Sequence, residues 1–234
     1  MYIMLNKIDK IQLDNYFNEL ATIYSKKSHG YEFEFVLVGG AAILINYNFR
    51  DITNDIDAYF LPSADIKESI KAVSEKLHIS PNWINDDFKQ TKSYSDKIAQ
   101  FSSYYKTYKN ILTVRTIKDE YLIAMKLMSG RIYKNDISDI VGILNASRKS
   151  NKKITFIMID KAVKNLYGSW DKIDNEIKDI LDKILKAKDL NKLYTDTINN
   201  ENKSRQQLLE FTEKYENSVN EANISDILKM LNKK

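Results

Sequence analysis

The sequence predicts an α+β protein, with a small mixed β-sheet flanked by helices and followed by a C-terminal helical bundle. Three observations carry this expectation. Glu32 to Val38 alternates and then becomes continuously apolar before stopping at Gly39-Gly40, as a strand buried on both faces does. Asp55 to Phe60 alternates acidic or tyrosyl positions with apolar ones. After Ile117 the apolar residues recur at helical spacing to the end of the chain.

The elements follow in order. From Asp9 to about Lys27, Leu13, Tyr16, Phe17, Leu20 and Tyr24 recur at three- and four-residue steps, which predicts an amphipathic helix closing over the core. The strand ending at Val38 leads through the glycine pair into a helix-compatible run, Ala41 to Asn46, so the glycines mark a tight strand-to-helix turn. Within the strand Asp55 to Phe60, alternation sets Asp55, Asp57 and Tyr59 on one face and Ile56, Ala58 and Phe60 on the other. Pro62-Ser63 reads as a helix start, and Ile66, Ile70, Val73 and Leu77 form the buried stripe of that helix. Strands near Ala99 to Tyr108 and Ile111 to Thr116 are joined by the turn-prone Lys109-Asn110. Then Leu122, Met125 and Ser129 lie on one side of a helix whose shoulder carries Lys126, and Ile137, Ile140, Val141 and Leu144 form the stripe of the next. The polar, basic segment from Ser147 to Lys153 separates these from about four further helices, marked by Ile173, Ile177, Ile180, Ile184 and the stretch from Arg205 to Leu231. A core domain of residues 1–117 and a helical domain of 118–234 result.

Composition narrows the chemistry. The chain has 234 residues, 43% of them hydrophobic, enough to bury a core. With no cysteine, disulfides, thiolate metal sites and cysteine nucleophiles are excluded together. The N-terminal MYIMLNKIDK has neither the basic and apolar regions nor the cleavage site of an export signal, and no run approaches the ~20 apolar residues of a membrane span. A soluble, cytoplasmic protein without a membrane partner is expected. A net charge of +4 argues against a nucleic-acid coat and permits a local basic patch.

Gly39-Gly40 followed about fifteen residues later by Asp55-Ile56-Asp57 has a clear chemical sense. Glycines let the backbone approach phosphates, and the following helix directs N–H groups and its positive dipole end at an anion. Two carboxylates on one strand face hold Mg²⁺ (or Mn²⁺) together with substrate phosphates. The competing reading is a glycine turn beside an exposed strand edge whose aspartates discourage aggregation. Arg50 and Thr53, just ahead of the acidic strand, suit phosphate binding and turn shaping, or simply a solvated loop.

This order of features resembles the nucleotidyltransferase superfamily, with its polymerase beta-like fold. Downstream, Asp119-Glu-Tyr-Leu-Ile-Ala-Met-Lys126-Leu-Met-Ser-Gly-Arg131 followed by Lys134-Asn-Asp136-Ile-Ser-Asp139-Ile resembles the helices of AbiEii-type and MenT-like toxin nucleotidyltransferases. The resemblance spans roughly Val36 to Leu144. It implies transfer of a nucleoside monophosphate from a Mg²⁺-bound nucleoside triphosphate to a hydroxyl, with tRNA or another RNA end as acceptor. A toxin–antitoxin or phage-defence setting, and a cognate antitoxin as partner, are implied with it. It makes Asp55 and Asp57 metal ligands, Gly39, Gly40 and Lys126 nucleotide-binding residues, and Asp55, Asp57, Lys126 and Asp136 catalytic, with Asp139 adjacent; Arg50 and Thr53 join the nucleotide-binding set on their chemistry and position alone.

Each transferred role has a plainer counterpart. Asp136 also suits a helix cap, Asp139 a solvated first-turn position, and Lys126 a lysine whose stem lies on the core while its ammonium reaches water. The sequence departs from the wider superfamily because Ile111 to Thr116 lacks the carboxylate that many members place on a later strand. Either Asp136 substitutes for it, or the chain is a catalytically degenerate nucleotide- or partner-binding module. A helical interaction protein with an incidental Asp-x-Asp is a third reading. From Lys89 to Lys118, seven basic residues face the single acid Asp96, interleaved with Tyr94, Tyr104, Tyr105 and Tyr108. That mixture suits a single-stranded RNA end, and equally a lysine-protected edge strand. His29 and His78 receive no metal or catalytic role.

Overall fold

The computed structural model describes residues 7–150, 152–215, 218–220 and 223–231. The opening six residues of the N-terminal segment lie outside that range. So do four positions within the stretch from Arg205 to Leu231.

Helix α1 (Lys10–Tyr24) begins with a capping box: Asp9 accepts from the Gln12 N–H at 2.8 Å, and the Gln12 side chain accepts from the Asp9 N–H at 2.9 Å. Strand β1 (Phe33–Leu37) runs into α2 (Gly39–Asn46), then β2 (Ile56–Tyr59). Helix α3 (Ala64–Leu77) starts at Ser63, whose hydroxyl accepts from the Ile66 N–H at 3.3 Å. A two-residue strand β3 (Ile84–Asn85) and 3₁₀ turns at Asp87–Gln90 and Ile98–Phe101 precede the hairpin of β4 (Ser102–Tyr108) and β5 (Leu112–Ile117). The hairpin reverses at Lys109 and Asn110, both with positive φ, as a tight turn between twisted strands requires. Next come α4 (Asp119–Ser129), α5 (Asp136–Lys149), α6 (Phe156–Tyr167), α7 (Asn175–Lys186), α8 (Leu190–Lys214) and α9 (Ile224–Leu231).

The five strands form one sheet in the order β3-β2-β1-β5-β4. It is mixed: β1 is antiparallel to β2 but parallel to β5, and β2 is parallel to β3. The central β1 reads as nearly continuous apolar sequence because Phe35, Val36 and Leu37 are buried on both faces of the sheet. One face of the sheet carries an aromatic core. Phe17 of α1 lies 5.9 Å from Phe35 and 5.7 Å from Tyr108, and Phe35 lies 4.9 Å from Phe60. Trp83, 1% exposed, meets Phe17 edge-on and donates its indole N–H to the Ile70 carbonyl at 3.2 Å, so its one polar group is satisfied inside the core.

The sequence and structure differ at three places in this region. Residues 99–101 belong to a 3₁₀ turn rather than the predicted strand, β3 has no counterpart in the sequence pattern, and β2 begins at Ile56 rather than Asp55. The last follows from Thr53, whose hydroxyl donates to the Asp55 carbonyl at 3.0 Å and turns the backbone just ahead of the strand.

The chain forms two compact units. The first comprises residues 1–125 and 155–170, the second 126–154 and 171–234. In the first, α6 returns to the sheet domain: Ser95 donates to the Leu166 carbonyl at 3.0 Å, and the Tyr167 hydroxyl to the Ser93 carbonyl at 2.8 Å. In the second, α5 and α8 lie side by side, and Arg148 caps the end of α7 by donating to the carbonyls of Leu185 and Ala187. Among the described residues no helix is long and apolar enough to cross a membrane.

Candidate active site

Two clusters gather the residues singled out in the sequence. In the first compact unit the organiser is the turn between β1 and α2. Gly39 has φ +57°, the left-handed conformation that a side chain resists. A Cβ built there would stand 2.9 Å from Oδ2 of Asp57, so the carboxylate lies directly against the bare backbone. At Gly40 a Cβ would meet Thr53 Oγ1 at 2.7 Å and Arg50 Nη2 at 2.9 Å. The two glycines therefore clear space for three different side chains, and a substitution at either would displace one of them.

Their partners are fixed from several directions. Asp57 is half-buried in β2 between the fully buried Ile56 and Ala58, and its backbone carbonyl accepts from the Val38 N–H at 3.0 Å. Thr53 is 3% exposed and exchanges two backbone hydrogen bonds with Ile8, at 2.7 and 2.9 Å. Arg50 donates from Nε to the Ile52 carbonyl at 3.1 Å. Helix α2 starts here with no side-chain cap from Val38, and its first helical bond runs from Ala42 to Val38 at 3.3 Å. The N–H groups of its first turn thus lie ahead of the intrahelical ladder, with the dipole's positive end beside them. Asp55 is exposed and sits one residue before the strand. At the far end of α2, Asn46 and Thr116 of β5 are linked side chain to side chain at 3.3 Å.

The second cluster lies in the second compact unit. Lys126, 8% exposed, places its ammonium 2.9 Å from Asp136 and 2.8 Å from Asp139. Arg131 adds its Nε at 2.8 Å from Asp136, and its backbone N–H also points at that carboxylate. Burial disfavours the charge on Lys126, but the two adjacent carboxylates outweigh it and push the ammonium above its ordinary range. For Asp136 burial acts upward, and Lys126 and Arg131 overcome it, holding the carboxyl down at about 2. The lysine's ammonium is therefore committed to two aspartates rather than to water, and Asp136 faces Lys126 and Arg131 instead of capping α5. The helix is capped from elsewhere. Glu201 of α8, 3% exposed, accepts from the N–H groups of Ile137 at 3.0 Å and Ser138 at 3.1 Å.

Sequence reasoning gave no role to Arg131 or Glu201. Arg131 falls within the segment quoted above, whereas Glu201 sits in a polar helical stretch with nothing local to mark it as buried. Among the described residues, no three histidine or acidic side chains converge as a metal cage. Asp57 and Asp55 are hard oxygen donors of the kind Mg²⁺ shares with substrate phosphates, but Asp55 lies ahead of β2, so strand alternation does not by itself set its carboxylate on the face that carries Asp57.

A mixed sheet with a glycine turn opening a helix, and a strand aspartate held against that turn, define a nucleotidyltransferase fold. A model of the family described as nucleotidyltransferase of unknown function (DUF6036) matches residues 11–173, and the chain belongs to that family. No curated protein and no solved structure matches the chain.

Proposed function

We propose that the chain transfers a nucleoside monophosphate from a Mg²⁺-bound (or Mn²⁺-bound) nucleoside triphosphate to a hydroxyl on RNA, releasing pyrophosphate. The observation that carries this reading is the Asp57 carboxylate lying against Gly39 while Arg50 and Thr53 lie against Gly40. A polyphosphate needs close backbone approach, N–H donors and a cation, and this turn offers the first two beside a guanidinium. Asp57 and Asp55 would hold the metal, whose chemistry is to polarise the α-phosphate and neutralise the departing charge. The acceptor oxygen forms a bond to the α-phosphorus as the bond to the β-phosphate oxygen breaks. The electron pair leaves with pyrophosphate and the hydroxyl proton passes to a base.

Lys126 and Asp136, implied by resemblance as phosphate ligand and active-site carboxylate, bind each other; direct action by either requires that pair to open. Their geometry better supports a positioning role, fixing the chain from Lys126 to Arg131 against the start of α5. The preference for tRNA as acceptor, and the toxin–antitoxin or phage-defence setting with a cognate antitoxin, rest on resemblance of the Asp119 to Ile140 segment. A second reading, a degenerate nucleotide-binding module, is favoured by one observation: β5 carries Thr113, Val114, Arg115 and Thr116, with no carboxylate among them.

Calorimetry with each triphosphate, with and without Mg²⁺, tests binding. Incubation with labelled triphosphates and total tRNA tests transfer. Asp57→Asn is expected to abolish labelling with an unchanged melting temperature. Absence of transfer under Mg²⁺ and Mn²⁺ alike, with triphosphate still bound, selects the degenerate module.

A further inference from the structure

Strand β3 places a residue beside Asp57 that the sequence pattern does not single out. In the parallel pairing of β2 with β3, Ile56 stands opposite Ile84 and Asp57 opposite Asn85. Alternation gives the same placement independently: Ile84, 3% exposed, is buried as Ile56 is, which turns Asn85 to the other face, the one that carries Asp57. No strand lies between the two. Both are half-buried, so a ligand over one lies within reach of the other across a single strand spacing of about 4.8 Å.

Asn85 is held in place, and part of its amide is uncommitted. Its Oδ1 accepts from the Asp87 backbone N–H at 3.0 Å, which fixes the oxygen and nitrogen ends of the amide, because only the oxygen accepts. Nδ2 carries two hydrogens; one meets the Asn82 carbonyl at 3.5 Å, the limit of a hydrogen bond, and the other has no acceptor among the described residues. The backbone on either side is anchored to β2. The Trp83 carbonyl accepts from the Ile56 N–H at 3.0 Å, and Lys89, in the 3₁₀ turn that follows, donates to Asp86 at 2.7 Å and to the Phe60 carbonyl at 2.9 Å.

A row across the sheet therefore runs from the Gly39 turn, through Asp57, to Asn85. We infer that Asn85 reads the sugar of the nucleotide, its amide N–H donating to a ribose hydroxyl and so favouring ribonucleoside triphosphates over their deoxy counterparts. The inference rests on the nucleotide reading of the Gly39 turn. A triphosphate whose outer phosphates lie at the glycines and Arg50, and whose α-phosphate meets a cation at Asp57, carries its sugar one strand further, to β3. A neutral amide donor suits a neutral hydroxyl there, whereas the phosphates are met by N–H groups, a guanidinium and the cation. A sugar lacking that hydroxyl leaves the donor unpaired, which is the basis of discrimination against it.

The test is calorimetric binding, with Mg²⁺ and without an acceptor, of nucleoside triphosphates in their ribo, 2′-deoxy and 3′-deoxy forms. The original protein is expected to bind the ribo form more tightly than one of the deoxy forms by about three- to tenfold, the contribution of one hydrogen bond. Asn85→Ala removes the amide. Asn85→Asp keeps an oxygen for the Asp87 N–H and removes both donors, so it separates the donor from the local turn. In both variants the ratio is expected to fall to within about twofold of one; uniform changes in affinity, from the added charge or from a loosened turn, cancel in it. Equal binding of all the sugars by the original protein, or a preference that survives in either variant, overturns the inference. An Asn85-dependent preference without any label transfer supports the sugar contact and refutes the transfer reading instead. Absence of binding by any triphosphate refutes the nucleotide site and overturns the inference with it.

Discussion

Replacing Glu201 with glutamine separates what its carboxylate does as a cap from what its charge costs. Oε1 accepts from two backbone N–H groups at the start of α5, whereas Oε2 is buried without a hydrogen-bond partner. Burial raises the carboxyl to about 7; the hydrogen bonds from Ser138 and Ile137 oppose that rise, and nearby Asp139 adds to it. The folded value lies above the unfolded 4.5, so the stability it contributes is full below pH 4.5 and is lost as pH rises through 7. The difference corresponds to about 3 kcal/mol for ionised Glu201 in this position. Glutamine keeps the accepting oxygen and does not ionise. Melting followed by circular dichroism is expected to give Glu201→Gln and the original protein similar midpoints at pH 5. At pH 8 the variant should melt about 6 °C or more higher, by the usual conversion for a chain of this size. A difference that stays constant from pH 5 to 8, or a variant that melts lower at pH 8, refutes the reasoning.

Gly39→Ala combines an unfavourable backbone conformation with a clash, whereas Gly30→Ala, at φ +86° with nothing within 4 Å, carries strain alone. Each should lose about 1–2 kcal/mol of stability from backbone strain, and only Gly39→Ala should also lose triphosphate affinity in calorimetry. Lys126→Met leaves Asp136 and Asp139 buried without their shared cation, so denaturant titration should register a loss of about 3–5 kcal/mol. Adding Asp139→Asn should restore part of that loss. Asp136 adds an acid-side limit: its carboxyl is held below the unfolded 3.8, so its stabilisation is present above pH 3.8 and lost as pH falls through about 2. A melting temperature at pH 2.5 matching that at pH 4.5 would contradict the role assigned to its pairing with Lys126 and Arg131.

The turn chemistry was legible because it depends on particular residues at particular positions. Gly39-Gly40, Pro62-Ser63 and Lys109-Asn110 each mark a boundary that the structure contains. Apolar spacing likewise identified α1 and α3, whose buried residues include Leu13, Phe17, Leu20, Ile66, Ile70 and Val73. Two-residue β3 was illegible, since a strand that short has no alternation to read. Periodicity also identifies the face a helix buries without naming what lies against it. Glu201 caps α5 through contacts 63 and 64 residues distant in sequence, and α6 rejoins the sheet unit after the intervening α5 has left it. In the candidate site, the glycines, Arg50, Thr53 and Asp57 form a group that sequence order could suggest. The mutual engagement of Lys126, Arg131, Asp136 and Asp139 required three-dimensional placement.

The outermost strands bear on how this chain behaves at high concentration. β4 breaks register between Tyr104 and Lys106, its tip carries Lys109, and the opposite border consists of only Ile84 and Asn85. An incoming chain extending the ladder finds an offset and a cation at one margin and scarcely any length at the other. Such margins guard against runaway self-assembly through the sheet borders.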